Sequence, residues 1–207
     1  MDIKAFIFDM DGLLFDSERI VQRSWEIAGD ELGIPHMEDV IYHTLGMNRA
    51  GRNEYFRKYI REDFPFEEFG KLTRDNFWKI VDKEGLPLKK GAKELLAYGK
   101  SQGYKMAVAT SSSREYAMGN LIRAGIDSYF DSVVCGDMVK KAKPDPEIYQ
   151  KACESLGIQP EYCMAFEDAP GGILSAHQAG MHVIMVPDLV QPTQEIRAVS
   201  YTHLTLP

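Results

Sequence analysis

The sequence is short of cysteine, of long apolar runs and of clustered positive charge, and each shortage removes a class of protein. Its three cysteines (Cys135, Cys153 and Cys163, in 207 residues) are odd in number and show no CxxC spacing. They predict small core residues of a reduced compartment rather than a disulfide framework or a zinc site. No apolar stretch approaches the ~20 residues that cross a bilayer. The chain runs from Met1 straight into an apolar strand, without the basic and apolar regions of a secretory leader. A soluble, cytoplasmic protein is the expectation. The 24 Lys and Arg against 31 Asp and Glu give a formal net charge of −7. The basic residues do not cluster, so neither nucleic acid nor a membrane surface is expected as a partner. A negatively charged small substrate would need a local cation, because the field of the whole molecule repels it. No P-loop motif exists. The histidines (His36, His43, His177, His182 and His203) lack ligand spacing and are assigned no chemistry.

What is present is a hydrophobic content of 44%, enough for one core and a smaller second lobe. Short, nearly continuous apolar runs at Ala5–Phe8, Lys105–Ala109, 133–135, 164–166 and 183–186 read as strands covered on both faces. Helical patterns separate them. Tyr149, Ala152, Cys153 and Leu156 form one stripe, with Pro146 near its start and Gly157 as a stop. Ala117, Leu121, Ile122 and Ala124 form another, ending at Gly125. This alternation predicts an α/β fold, a doubly wound parallel sheet of Rossmann-like type.

One segment breaks the alternation. Residues 17–82 show only helical patterns, rich in aromatics (Trp25, Tyr55, Phe56, Tyr59, Phe69, Phe77, Trp78), and predict an inserted all-helical domain with its own small core. The sheet domain is then 1–16 with 83–207. The paired connections at 15–17 and 82–87 would form a hinge for a helical cap. Near the end, Thr193 can cap a short helix. The tail from about 199 has poor helix propensity, and a truncated or foreign end is the expectation there.

In an open parallel sheet, ligands bind outside the carboxyl ends of the strands. After the first strand come Asp9 and Asp11, with Gly12 turning the chain away. Two ionised aspartates cannot stay inside a buried strand, so they emerge at its end. Thr110 and Ser111 follow the second strand. Lys143 sits in a proline-stiffened loop, and Glu167 and Asp168 precede a Gly-rich helix start. The chemistry that fits is phosphoryl transfer. Asp9 can attack phosphorus. Carboxylates of Asp9, Glu167 and Asp168 suit Mg²⁺. The Thr110 hydroxyl and the Ser111 N–H can hold phosphate oxygens, and Lys143 supplies a positive charge. Asp11 can protonate the leaving group and then deprotonate water. Protonating Asp11 also brings the four carboxylates, Mg²⁺ and Lys143 to neutrality.

The segment FDMDGLLFDSE, Thr110-Ser111, the KPDP at 143–146 and the EDAPGGI at 167–173 resemble the four motifs of the haloacid dehalogenase-like superfamily. The helical insertion resembles the cap of its β-phosphoglucomutase-like subfamily. The resemblance implies Mg²⁺ dependence, an aspartyl-phosphate on Asp9, Asp11 as acid and base, and an Asp11 contribution to the metal, through its backbone carbonyl. It also implies that Gly46-Met47-Asn48-Arg49 is a cap loop placing Arg49 on the substrate. Sugar phosphomutases of the subfamily carry a histidine near the position of Val21, and Asp16-Ser17-Glu18 is more typical of phosphatases. Hydrolysis of a small phosphate monoester, such as a sugar phosphate, is therefore favoured over a hexose-phosphate mutase.

Plainer readings compete. Thr110-Ser111 alone would be a turn or cap, and Ser112, Ser113 and Arg114 read as a helix start. Glu167-Asp168 could simply favour the next helix's dipole. Arg49 and Arg52 read by default as solvated charges, and Trp25, Phe77 and Trp78 as cap core. A non-catalytic phospho-acceptor module is the alternative of another class, opposed by the acceptor's place on the first strand. The sequence does not fix the oligomeric state; a monomer is compatible with it.

Overall fold

The computed structural model describes residues 2–44, 49–189 and 191–202. The chain divides into two compact units, Met1–Asp16 with Pro87–Pro207, and Ser17–Leu86.

The first unit is an all-parallel six-stranded sheet flanked by helices. Its strands are β1 (Ala5–Phe8), β2 (Lys105–Ala109), β3 (Ser132–Val134), β4 (Cys163–Glu167), β5 (His182–Met185) and β6 (Tyr201–Thr202), in the order β3-β2-β1-β4-β5-β6. The chain builds outward from β1 to β3, then returns to place β4 on the other side of β1. The switch point thus lies between β1 and β4, where open sheets of this kind bind ligands. Registers Phe8↔Val108 and Phe8↔Phe166 bring the carboxyl ends of β1, β2 and β4 level.

Alternation along the strands fixes which side chain meets which helix. Ala5, Ile7, Ala107, Ala109, Cys163 and Ala165 share a core with Ile148, Tyr149, Ala152 and Cys153 of α7 (Glu147–Leu156) and with Ile173 and Ala176 of α8 (Pro170–Gln178). Phe6 and Phe8 face the other way, with Phe8 stacked on Phe166 at a centroid distance of 4.9 Å. Asp9 and Glu167 continue the first set, so strand parity alone sends both carboxylates toward α7. The three cysteines are free and buried, as expected of core residues. Gly157 ends α7 in the left-handed conformation, φ 68°.

Strand ends shift by a residue from the sequence-based expectation, to 132–134, 163–167 and 182–185, and three differences bear on the argument. Glu167 is the last residue of β4 rather than the first beyond it. The final helix α9 (Gln194–Val199), capped by Thr193, is followed by β6, a strand the tail's composition does not announce. Residues 203–207 lie outside the described residues. The division between units falls at Leu86 because the last inserted helix runs on to Glu84, where the Gly85 N–H bonds to Val81 O.

The second unit comprises α1 (Ser17–Glu31), α2 (Met37–Thr44), α3 (Arg49–Tyr59) and α4 (Phe66–Glu84). Trp25, Ala28, Met37, Val40, Ile41, Phe56, Phe64 and Phe69 form its core. Trp25 meets Phe56 and Phe69 edge to face at 5.7 and 5.5 Å, an arrangement suited to the ring quadrupoles. Trp78, expected in this core, is 45% exposed. Gly46, Met47 and Asn48 lie outside the described residues, and so does the side chain of Arg49. Among the described residues, no helix is long and apolar enough to cross a membrane.

Candidate active site

The carboxyl end of β1 holds Asp9, 8% exposed, with its N–H bonded to Phe166 O at 3.0 Å. The chain then folds tightly: the Leu14 and Phe15 N–H groups return to Met10 O, and Gly12 takes φ 83°. A side chain at Gly12 would be strained by that conformation, and its Cβ would lie 2.3 Å from Asp168 Oδ2. Glycine therefore lets the first loop close over the carboxylate after β4.

Lys143 reaches into this end of the sheet from the loop before α7. Its Nζ donates to Asp9 Oδ1 and Glu167 Oε1, both at 2.6 Å, and to Ala109 O at 2.9 Å. That loop is braced from several sides. Ser175 Oγ of α8 donates to Asp145 O at 2.6 Å, and the Glu147 N–H donates to Asp145 Oδ1 at 3.1 Å. The Glu147 carboxylate accepts the backbone N–H groups of Lys140 and Lys141. Burial opposes the Lys143 charge, but Asp9 and Glu167 outweigh it and hold the ammonium well above the usual lysine range. Lys143 is a fixed cation, the local positive charge that an acidic chain needs to receive an anion.

Glu167 is fully enclosed, 1% exposed. Burial pushes its carboxyl above the ordinary value, opposed by Lys143. The Tyr149 hydroxyl donates to Glu167 Oε1 at 2.5 Å. Burial and the neighbouring carboxylates raise the Tyr149 phenol, so it stays protonated as a donor. Gly172, in the first turn of α8, presses on the same carboxylate: a Cβ there would sit 1.8 Å from Glu167 Oε1. Ligand oxygens of Asp9, Glu167 and Asp168 lie within 4.8 Å of one another. Three hard oxygen donors in one small space fit a divalent cation of the Mg²⁺ type. The Asp11 carboxylate is not in that group.

Asp11 is held elsewhere, by the loop after β2 and the first turn of α6 (Arg114–Arg123). Its Oδ2 accepts Ser112 Oγ at 2.7 Å and its Oδ1 accepts the Tyr116 hydroxyl at 3.2 Å. Burial first, and then Asp11 itself, raise the Tyr116 phenol, so it too remains a donor. Thr110 is buried at the end of β2, its N–H on Val134 O and its Oγ1 accepting the Ser112 N–H at 3.1 Å. Its hydroxyl proton stays available to a ligand, while Ser111 is exposed. Ser113 caps α6 (Arg114–Arg123), accepting the Tyr116 N–H. Arg114 donates to Val133 O and is tied to the sheet edge.

The structure thus gathers Asp9, Lys143, Glu167 and Asp168 in one cluster and ties Asp11 to Ser112, directly beside Thr110 and Ser111. Sequence reasoning missed Tyr149 and Tyr116. Tyr149 sits on a helical stripe, where an aromatic reads as packing, and Tyr116 lies just before the stripe that begins at Ala117. Ser112 was read as part of a helix start. A hydroxyl one residue beyond Thr110-Ser111 was the available signal. His36, Glu38 and Asp39, at the start of α2, also bring ligand atoms within 4.8 Å, but His36 and Asp39 are exposed.

Residues 6–186 match the family described as haloacid dehalogenase-like hydrolase. The chain is 34% identical over 182 residues to the phosphorylated carbohydrates phosphatase of Thermotoga maritima, covering 88% of this chain and 84% of that one. It is 33% identical over 186 residues to hexitol phosphatase A of Escherichia coli, covering 90% and 84%. Among solved structures, a family hydrolase of Deinococcus radiodurans with bound phosphate and sodium superposes with a TM-score of 0.83. It is 24% identical, and the match covers 99% of this chain and 92% of that one.

Proposed function

The chain belongs to the haloacid dehalogenase-like hydrolase family, and on that footing we propose that it is a Mg²⁺-dependent phosphatase of small phosphate monoesters, acting through an aspartyl-phosphate on Asp9. The observation that carries this reading is the Asp9 carboxylate at the switch point, held by Lys143 at 2.6 Å and clustered with Glu167 and Asp168. Relatives named for phosphorylated carbohydrates and for hexitol phosphates support sugar phosphates as the substrate class.

Asp9, Glu167 and Asp168 would hold the cation, which when bound offsets the charge of the incoming phosphate. Lys143 fixes the orientation of Asp9 and adds the second positive charge beside the attacked phosphorus. Thr110 donates its hydroxyl, and Ser111 its N–H, to the phosphate oxygens. Asp9 displaces the alcohol, Asp11 gives the leaving oxygen its proton, and Asp11 then takes a proton from the water that cleaves the acyl-phosphate. The reading assigns residues 17–86, the second unit, to selection of the ester.

The test is a phosphate-release screen over sugar phosphates and nucleotides with Mg²⁺, repeated with EDTA and with Asp9→Asn. Release abolished by both is expected. No turnover anywhere in the panel would overturn the reading. Interconversion of hexose phosphates that requires a bisphosphate activator would replace hydrolysis by the mutase reaction.

A further inference from the structure

The turn from β2 into α6, Thr110 to Arg114, carries both proposed phosphate donors, the Thr110 hydroxyl and the Ser111 N–H. It also carries the Ser112 hydroxyl that holds Asp11. Donors on a loop are only as well placed as whatever holds the loop. Lys143 fixes its start through Ala109 O, at 2.9 Å. The rest is held from β3 and from the single 3₁₀ turn that follows it, Gly136–Met138. The Thr110 N–H bonds to Val134 O at 3.0 Å, the Gly136 N–H to Ser112 O at 2.8 Å, and the Arg114 N–H to Asp137 Oδ2 at 3.0 Å. Among the described residues, the Ser111 N–H meets no acceptor. A ligand oxygen can take it.

Gly136 is the tightest point of this grip. A Cβ there would lie 2.2 Å from Ser111 O and 2.8 Å from Ser111 C, backbone atoms that cannot swing aside. Its φ lies outside the left-handed region, so backbone conformation does not demand glycine. The closeness of the Ser111 carbonyl does. That carbonyl shares its peptide with the Ser112 N–H, which bonds to Thr110 Oγ1 at 3.1 Å and so orients the Thr110 hydroxyl. A shift of this one peptide would misplace both phosphate donors together.

We propose that Gly136 and Asp137 are positioning residues of the phosphate site. They hold the 110–114 turn so that the Thr110 O–H and the Ser111 N–H converge on one phosphate group. The inference rests on the phosphatase reading and extends it to a turn that supplies no group to the reaction. Fixed donors matter because misplacing one by a fraction of its bond length forfeits most of what it offers to developing charge.

The probe is inorganic phosphate, the product, added to the full chain with Mg²⁺. Its affinity is read by calorimetry and by competition against turnover of a phosphate ester. Gly136→Ala should weaken phosphate about tenfold or more, the loss of one hydrogen bond to a charged group. The ratio kcat/KM should fall at least as far, while Mg²⁺ binding in the absence of phosphate stays at the parental value. Gly119→Ala, on α6 where a Cβ meets nothing within 4 Å, is the control and should match the parent throughout.

Asp137 is exposed and gives a second pair of variants should Gly136→Ala not fold. Asp137→Asn keeps an acceptor for the Arg114 N–H and Asp137→Ala does not, while both lack the charge. Phosphate should bind roughly threefold more weakly to the alanine variant than to the asparagine one. Parental phosphate affinity in a folded Gly136→Ala overturns the proposal, and so does equal affinity in the two Asp137 variants. Loss of Mg²⁺ binding alongside phosphate in Gly136→Ala overturns it too, as general damage to the site. A parent that neither turns over any ester nor binds phosphate overturns the phosphatase reading, and this inference with it.

Discussion

The Tyr116 hydroxyl stands 3.2 Å from Asp11 Oδ1 while Ser112 Oγ stands 2.7 Å from Asp11 Oδ2, so one carboxylate is held by both the loop before α6 and the first turn of that helix. Neither hydroxyl belongs to the cluster around Asp9. Tyr116→Phe should therefore lower kcat about tenfold through a misplaced Asp11, with KM nearly unchanged. Steady-state kinetics check this, and a rise in KM at constant kcat would place Tyr116 on the substrate instead.

Lys143→Met should abolish turnover and destabilise the fold by about 3–5 kcal/mol, the usual cost of leaving buried carboxylates without their cation. Both partners are enclosed, with Lys143 and Glu167 side chains 9% and 1% exposed. Urea unfolding measures the loss. Near-parental stability would mean that Glu167, whose carboxyl burial already raises, sheds its charge by taking up a proton.

Tyr149→Phe removes one donor to Glu167 but leaves Lys143 in place. A loss of about 1–2 kcal/mol in stability is expected, together with Mg²⁺ affinity weakened on the order of tenfold or more. Metal titration of activity separates this from a purely structural effect, which would leave the metal requirement unchanged.

Gly172→Ala should be far more damaging than alanine at an ordinary helix position, because the new methyl would overlap the Glu167 carboxylate. Its cost should fall at about 1–3 kcal/mol, the range of overpacked cores. Gly171→Ala, where a Cβ meets open space, is the control.

Asp131 gives a pH test away from the site. Burial alone would raise its carboxyl, but the Lys105 ammonium at 2.9 Å and the Met106 N–H at 2.9 Å hold it below the ordinary value. A lowered folded pKa means stability present above the unfolded value, near pH ~4, and lost as pH falls through the folded one. Asp131→Asn should show a shallower acid-side decline than the parent in thermal unfolding below about pH 4.

Much of this was legible in the chain because strand ends obey simple constraints. A continuous apolar run stopped by Asp9, and another stopped by Glu167-Asp168, locate the carboxyl edge of a buried sheet without any tertiary information. Parity does the rest, since Ile7 and Ala165 fix the face to which the next odd residues turn. Tyr149 was illegible for the converse reason. A helical stripe records which face is buried and is silent on whether a hydroxyl there meets a carboxylate. Trp78 looked like core by composition and lies at the surface. The two-residue β6 is too short to leave a pattern of its own.

Where the polypeptide leaves the sheet domain and where it re-enters are sewn together: the Asp16 N–H bonds to Pro87 O at 2.8 Å and the Lys89 N–H to Leu14 O at 2.9 Å. Lys89 Nζ adds ion pairs to Asp16 and Asp188 at 3.2 and 2.6 Å. Departure and return thus share one doorway, already closed by the host's own bonds. The sheet domain is therefore complete at that point by bonds of its own, whatever lies between Asp16 and Pro87.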